Sequence, residues 1–161
     1  MLLRHQKQKE SGFTLIELLV VIAIIGLLSS VAMIALVSAR EKSRNVKRLA
    51  DMTQMNTALE LFNVYNKGYP DSLNGVPIGM TPTFLNSIPP APVPADGYCD
   101  QLQNPAGFYA NSYYYLPTGT SYTLVSGGPT LYPDYLYYFC LGAAAGNFPE
   151  GVRTLTPKGV R

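Results

Sequence analysis

The sequence predicts an α+β protein: a long N-terminal α-helix, membrane-spanning in its first half and amphipathic in its second, packed against a small C-terminal antiparallel β-sheet domain. Three observations carry this. From Leu18 to Ala39, 22 residues pass without a charge, enough at about 1.5 Å per residue to cross a hydrocarbon core of about 30 Å. From Leu27 to Lys67 there is no Gly or Pro, and Met52, Met55, Leu59 and Phe62 recur at spacings of 3, 4 and 3, one face of a helix. Beyond Gly68 the composition changes, because most of the 12 Tyr, 13 Pro and 14 Gly lie there, as short aromatic strands separated by turns require. A chain of 161 residues fits one domain plus an anchor.

The elements follow in order: a leader over 1–12, a membrane segment over 13–39, its amphipathic continuation over 40–67, and a β-rich domain over 68–161. In the leader, Arg4, Lys7 and Lys9 against Glu10 account for the whole net charge of +2, leaving nine basic and nine acidic residues from position 13 onward. That balance gives no electrostatic footprint for nucleic acid. The membrane segment opens with an acid, Glu17. A charge inside a span costs roughly 2.5 to 3.5 kcal/mol, so Glu17 is a functional candidate with a partner to be found. An ordinary secretory signal, cut after Val37-Ser38-Ala39, is the rival reading. The run is longer than the usual apolar core of about 7 to 15 residues, and Glu17 stands where such a core has no charge. A plain signal anchor explains the length but leaves Glu17 unexplained.

The continuation extends the helix to Asn66, 54 residues from Phe13 and roughly 80 Å, with Gly68 and Pro70 stopping it. Its apolar stripe is expected to pack on the domain. Arg40, Lys42, Arg44, Lys47 and Arg48, with Glu41 and Asp51, read as a solvated face near the headgroups.

In the domain, the prolines between Asp71 and Pro94 exclude central strands and predict a long surface connection. Strands are expected at Ser112 to Leu116, Thr120 to Ser126 and Tyr135 to Leu141, the first two forming a hairpin across Pro117-Thr118-Gly119. Tyr113, Tyr114 and Tyr115, like Tyr137 and Tyr138, should face alternately inward and outward. Cys99 and Cys140 are the only cysteines. A bridge between them would enclose the expected hairpin and contribute about 4 kcal/mol, whereas two free thiols fit a cytoplasmic domain. No cofactor, metal or catalytic group is expected. His5 is the only histidine, no P-loop or dinucleotide fingerprint occurs, and Asp96, Asp100 and Asp134 match no calcium-loop spacing.

Gly12-Phe13-Thr14-Leu15-Ile16-Glu17, after a short basic leader and before an uninterrupted apolar helix, resembles the processing site of type IV pilins and type II secretion pseudopilins. The likeness is strong over residues 7–40 and looser as far as Gly68-Tyr69-Pro70. It implies a precursor in the cytoplasmic membrane with its N-terminus inside, cut by a prepilin peptidase between Gly12 and Phe13 and methylated on the new Phe13 amine. An α-amine is largely cationic at neutral pH. The resemblance implies that Glu17 meets that amine on a neighbouring subunit, so that a misplaced subunit leaves a buried unpaired charge costing about 3 to 5 kcal/mol. It further implies a homo-oligomeric helical filament, extracellular or periplasmic, assembled with a platform protein and an ATPase.

Where such proteins commonly carry proline this chain has Ile34, and Gly26 alone is a weak helix breaker at about 1 kcal/mol. The basic residues after the span outnumber those before it, which by the positive-inside rule alone would leave the domain in the cytoplasm; the resemblance implies the reverse. The first reading is a structural subunit of a type IV pilus-like filament. The alternative is a pseudopilin of a type II secretion or DNA-uptake apparatus, against whose major subunit stands the absence of tryptophan. From another class comes a secreted binding protein released by an ordinary signal peptidase.

Overall fold

The computed structural model describes residues 12–97, 99 and 111–161. The rest of the leader, with Arg4, His5, Lys7 and Lys9, lies outside the described residues, as does Asp100. The chain divides into two units, one ending at Ser38 and the other running from Ala39 to Arg161. One helix, α1 (Leu15–Asn66, 52 residues), contributes to both.

In the first unit every residue of α1 is exposed, and the helix reaches a mean hydropathy of 2.9. The sequence there is nearly all Leu, Ile, Val and Ala. Ser30 returns its hydroxyl to the Leu27 carbonyl at 2.7 Å, so even this polar side chain is satisfied within the helix. Gly26 and Ile34 lie in unbroken helix, as expected where no proline removes a backbone donor.

In the second unit the anticipated stripe is the core: Met52, Met55 and Leu59 are fully buried and Phe62 nearly so. They pack with Tyr115, Tyr135, Tyr137, Phe139 and Leu141 from a four-stranded antiparallel sheet. Its order is β4 (Tyr114–Thr118), β6 (Asp134–Leu141), β7 (Gly151–Thr156), β8 (Gly159–Val160). Three short strands precede β4, namely β1 (Tyr69–Pro70), β2 (Ser72–Leu73) and β3 (Val76–Pro77), and β5 (Leu131–Tyr132) pairs with β1. Along β6 the residues at 135, 137, 139 and 141 are buried against the helix. On the opposite face, Tyr114 and Tyr138 pack on a second cluster of Ala95, Cys99 and Cys140. The tyrosines alternate as expected, but the outward ones are partly covered by the loop that the disulfide brings over the sheet.

Three expectations are corrected. The hairpin across Pro117-Thr118-Gly119 does not form: β4 pairs with β6 in the register Tyr115↔Tyr137, and 120–126 contributes only a bridge from Tyr122 to Leu131. That stretch is exposed throughout, so it lacked the buried face that makes a strand worth pairing. The segment from Asp71 to Pro94 is more than a surface connection. Asn74 and Gly75, both at positive φ, turn β2 into β3 as a two-residue hairpin, and Met80 and Leu85 enter the core. The helix stop also differs in detail: Lys67, not Gly68, takes the left-handed conformation, at φ 64. Gly68 is needed for close approach, since a Cβ there would collide with Tyr122 and Leu131.

Candidate processing and assembly site

The start of α1 is fixed by its own sequence. Thr14 is the N-cap: its Oγ1 accepts a bond from the Glu17 backbone N–H at 3.3 Å, while Glu17 Oε2 accepts from the Thr14 N–H and hydroxyl, both at 2.8 Å. This reciprocal pairing satisfies donors that a helix end otherwise leaves unpaired. Glu17 therefore has an intrachain role that the sequence reading missed, although Thr-x-x-Glu before an apolar run is its written signature. Both bonds fall on Oε2, so among the described residues Oε1 has no donor. Around the carboxylate stand Phe13, Ile16, Val20 and Val21, an apolar patch with Phe13 85% exposed.

The cap also sets where the helix stops. Gly12 and Phe13 fall just outside it, in backbone without regular structure, the form in which chain ends are open to proteolysis. A Cβ built on Gly12 meets nothing within 4 Å among the described residues.

At the root of the second unit, Arg40, Lys42 and Lys47 stand exposed as their charge suggested, but Arg44 is half-buried and Arg48 and Asp51 are buried. Arg44 grips Asp96 with both ends of its guanidinium, Nε donating to Oδ2 at 2.6 Å and Nη2 to Oδ1. Arg48 is 1% exposed and lies 3.5 Å from the same carboxylate. It donates to Asn45 Oδ1 at 2.7 Å and to the carbonyls of Pro92 and Pro94 at 3.0 and 3.1 Å, leaving only its Nε unpartnered. Asn45 Oδ1 in turn accepts the Gly142 N–H at 3.2 Å. Asp51, also buried, accepts the Tyr113 hydroxyl at 2.7 Å. Burial holds the hydroxyls of Tyr113, Tyr115, Tyr135 and Tyr137 well above the ordinary phenol range, so they remain protonated donors. Tyr115 donates to the Pro70 carbonyl and Tyr135 to Asn56, both at 2.9 Å. The domain thus holds its helix through a polar network as well as an apolar stripe.

The Cys99–Cys140 disulfide closes a loop with a sequence separation of 41, worth about 4 kcal/mol by loop entropy. Cys99 N–H donates to the Asp96 carbonyl at 3.0 Å, so the bridge and the arginine clamp fasten one stretch of chain. Asp96 is a clamp residue rather than a free loop carboxylate, and no metal-ligating cluster exists among the described residues. Asp96→Ala strands the buried Arg48 charge, whose remaining bonds put the cost at about 3 kcal/mol, at the low end for a broken buried pair. The expected result is a midpoint lower by roughly 10 °C in thermal denaturation of the full chain in detergent. An unchanged midpoint would show that Asp96 is dispensable.

A capped, wholly exposed apolar helix that continues into a small disulfide-closed β-domain defines the pilin-like class of subunit, structural rather than enzymatic. Residues 7–37 match the prokaryotic N-terminal methylation motif, and residues 35–133 match the type II secretion system protein G family. The chain belongs to that protein G family, within the pilins and pseudopilins. It is 34% identical over 126 residues to the type II secretion system core protein G of Escherichia coli K12, covering 75% of this chain and 83% of the relative. The core protein G of Pectobacterium carotovorum is 32% identical over 120 residues, covering 74% and 69%. That of Vibrio cholerae is 31% identical over 121 residues, covering 73% and 77%. No solved structure matches. These relatives favour the secretion pseudopilin over the pilus subunit that was the first reading, and the absence of tryptophan is no bar to the family.

Proposed function

We propose that this chain is the filament-forming pseudopilin of a type II secretion-like apparatus. It is made as a membrane precursor with its N-terminus in the cytoplasm, cut by a prepilin peptidase between Gly12 and Phe13, and methylated on Phe13. It then packs through residues 13–39 into a filament beyond the membrane, with a platform protein and an ATPase as partners by family resemblance. The observation that carries this reading is the uncovered apolar helix: no part of its most apolar window is buried, which requires lipid or other copies around it. The capped Glu17 then retains one oxygen for an incoming amine.

The rival secreted protein, cut after Ala39, fits poorly. Val37-Ser38-Ala39 lies inside continuous helix rather than in an open segment. The clamp also bears on orientation. Of the five basic residues after the span, Arg44 and Arg48 are committed to Asp96, which reduces the cytoplasmic bias that the count alone implies.

Removing this chain from its native cell is expected to strand exported proteins inside the cell envelope while surface pili remain, and restoring it should return them to the medium. Loss of surface filaments with secretion intact would assign the chain to a pilus instead.

A further inference from the structure

Two surfaces of the second unit are complementary and cannot meet within one chain. The first is a groove of about 480 Å³ at the end of α1. Phe84 stands in it between Phe62 and Tyr65, with ring centroids at 5.2 and 5.9 Å, both edge-on. Tyr65 is 79% exposed. Asp71 lies at the groove and has no ion-pair partner among the described residues. Aromatic grooves of this kind take up proline-rich segments, whose extended form loses little entropy on binding.

The second surface is a proline-rich segment, Pro89-Pro90-Ala91-Pro92-Val93-Pro94, outside regular secondary structure, bent at Val93 and Pro94, and with Val93 67% exposed. The buried Arg48 holds two of its carbonyls, those of Pro92 and Pro94. The run is thus fixed before any partner arrives, which removes part of the ordering cost of binding. Beside it stands Lys47, exposed and likewise without an ion-pair partner among the described residues. A proline run with an adjacent cation exposes Pro90, Val93 and Pro94 on one surface, and an aromatic groove with an adjacent anion lies on the other.

The 18 residues of α1 from Lys47 to Tyr65 separate the two surfaces by about 27 Å, and Arg48 anchors the run at the lower level. It cannot reach the groove of its own chain. A contact between two different surfaces of identical subunits is heterologous, the type that generates rings or open helical filaments.

We propose that the groove formed by Phe62, Tyr65 and Phe84 receives the 89–94 proline run of a second copy of this chain, with Lys47 meeting Asp71 across the contact. This rests on the filament reading and adds a docking contact between domains to the packing of the apolar helices.

The test uses the full chain in its native membrane with a benzophenone amino acid at position 65, and separately at position 20 as a probe of helix packing. Irradiation is expected to give a dimer from each, the position-65 product mapping to residues 88–94 of the partner copy. Lys47→Glu should lower that product by about fivefold or more, and Asp71→Lys in the same chain should restore it. Dimers from position 20 with position 65 linked elsewhere on the chain, to another protein, or to lipid would overturn this contact and leave the filament reading intact. No dimer from either position would overturn both.

Discussion

Gly12→Val is expected to remain full length in the membrane, with almost no mature product. The substitution disturbs nothing among the described residues, since a Cβ at position 12 meets no neighbour there within 4 Å and Thr14 and Glu17 cap the helix without it. What changes is the peptide bond at the proposed cleavage point. A branched side chain now flanks the scissile position and restricts a backbone that glycine leaves free. Insertion is unaffected, because the apolar run is untouched. Mass spectrometry of the membrane fraction reads the outcome directly. Removal of residues 1–12 at the parental rate would show that glycine is not what the protease selects.

The contrast between Gly12 and Asp96 shows which features of this chain were legible in its sequence. Local chemistry was open to inspection: the uncharged run from Leu18 to Ala39, the 3-4-3 stripe that became the core, and the alternation along β6. So was the cap, in principle, because Thr14-Leu15-Ile16-Glu17 carries its signature within four residues, as Asn74-Gly75 carries that of a hairpin turn. The first is masked because a lone acid in an apolar run reads as a charge seeking a distant partner. The second was hidden by the density of proline around it. Asp96 was not legible. It meets Arg44 across a separation of 52 residues, and nothing near either residue announces the other. A run of basic residues on a helix reads as solvated until a fold places a carboxylate and two carbonyls over it. The strand pairing failed for a related reason. A short connection favoured 112–116 with 120–126, but β4 found in β6 a partner whose alternate residues were all buried, and burial outweighs proximity in sequence. β7 and β8 escaped notice although Val152, Thr154 and Thr156 supply β-branched residues at every second position.

The second large effect concerns Glu17, whose capping role and proposed assembly role one substitution separates. Glu17→Leu removes both the cap and the charge, so a loss of assembly in that variant has two explanations. Glu17→Gln keeps the cap, since an amide oxygen accepts from the Thr14 N–H and hydroxyl as the carboxylate does. It cannot neutralise an ammonium. If the charge directs assembly by meeting the Phe13 amine of a neighbouring subunit, the amine is left uncompensated in apolar surroundings, at about 3 to 5 kcal/mol. Both variants should insert and be cleaved as the parent is, since less charge makes the span more apolar.

The most direct measurement is therefore the yield of sheared filament from Glu17→Gln, set against the amount of cleaved subunit in the same membranes. Parental levels of cleaved subunit are expected, with filament reduced at least about tenfold. Parental filament yield from Glu17→Gln would show that Glu17 serves only as the cap of α1, and that the charge does not direct assembly.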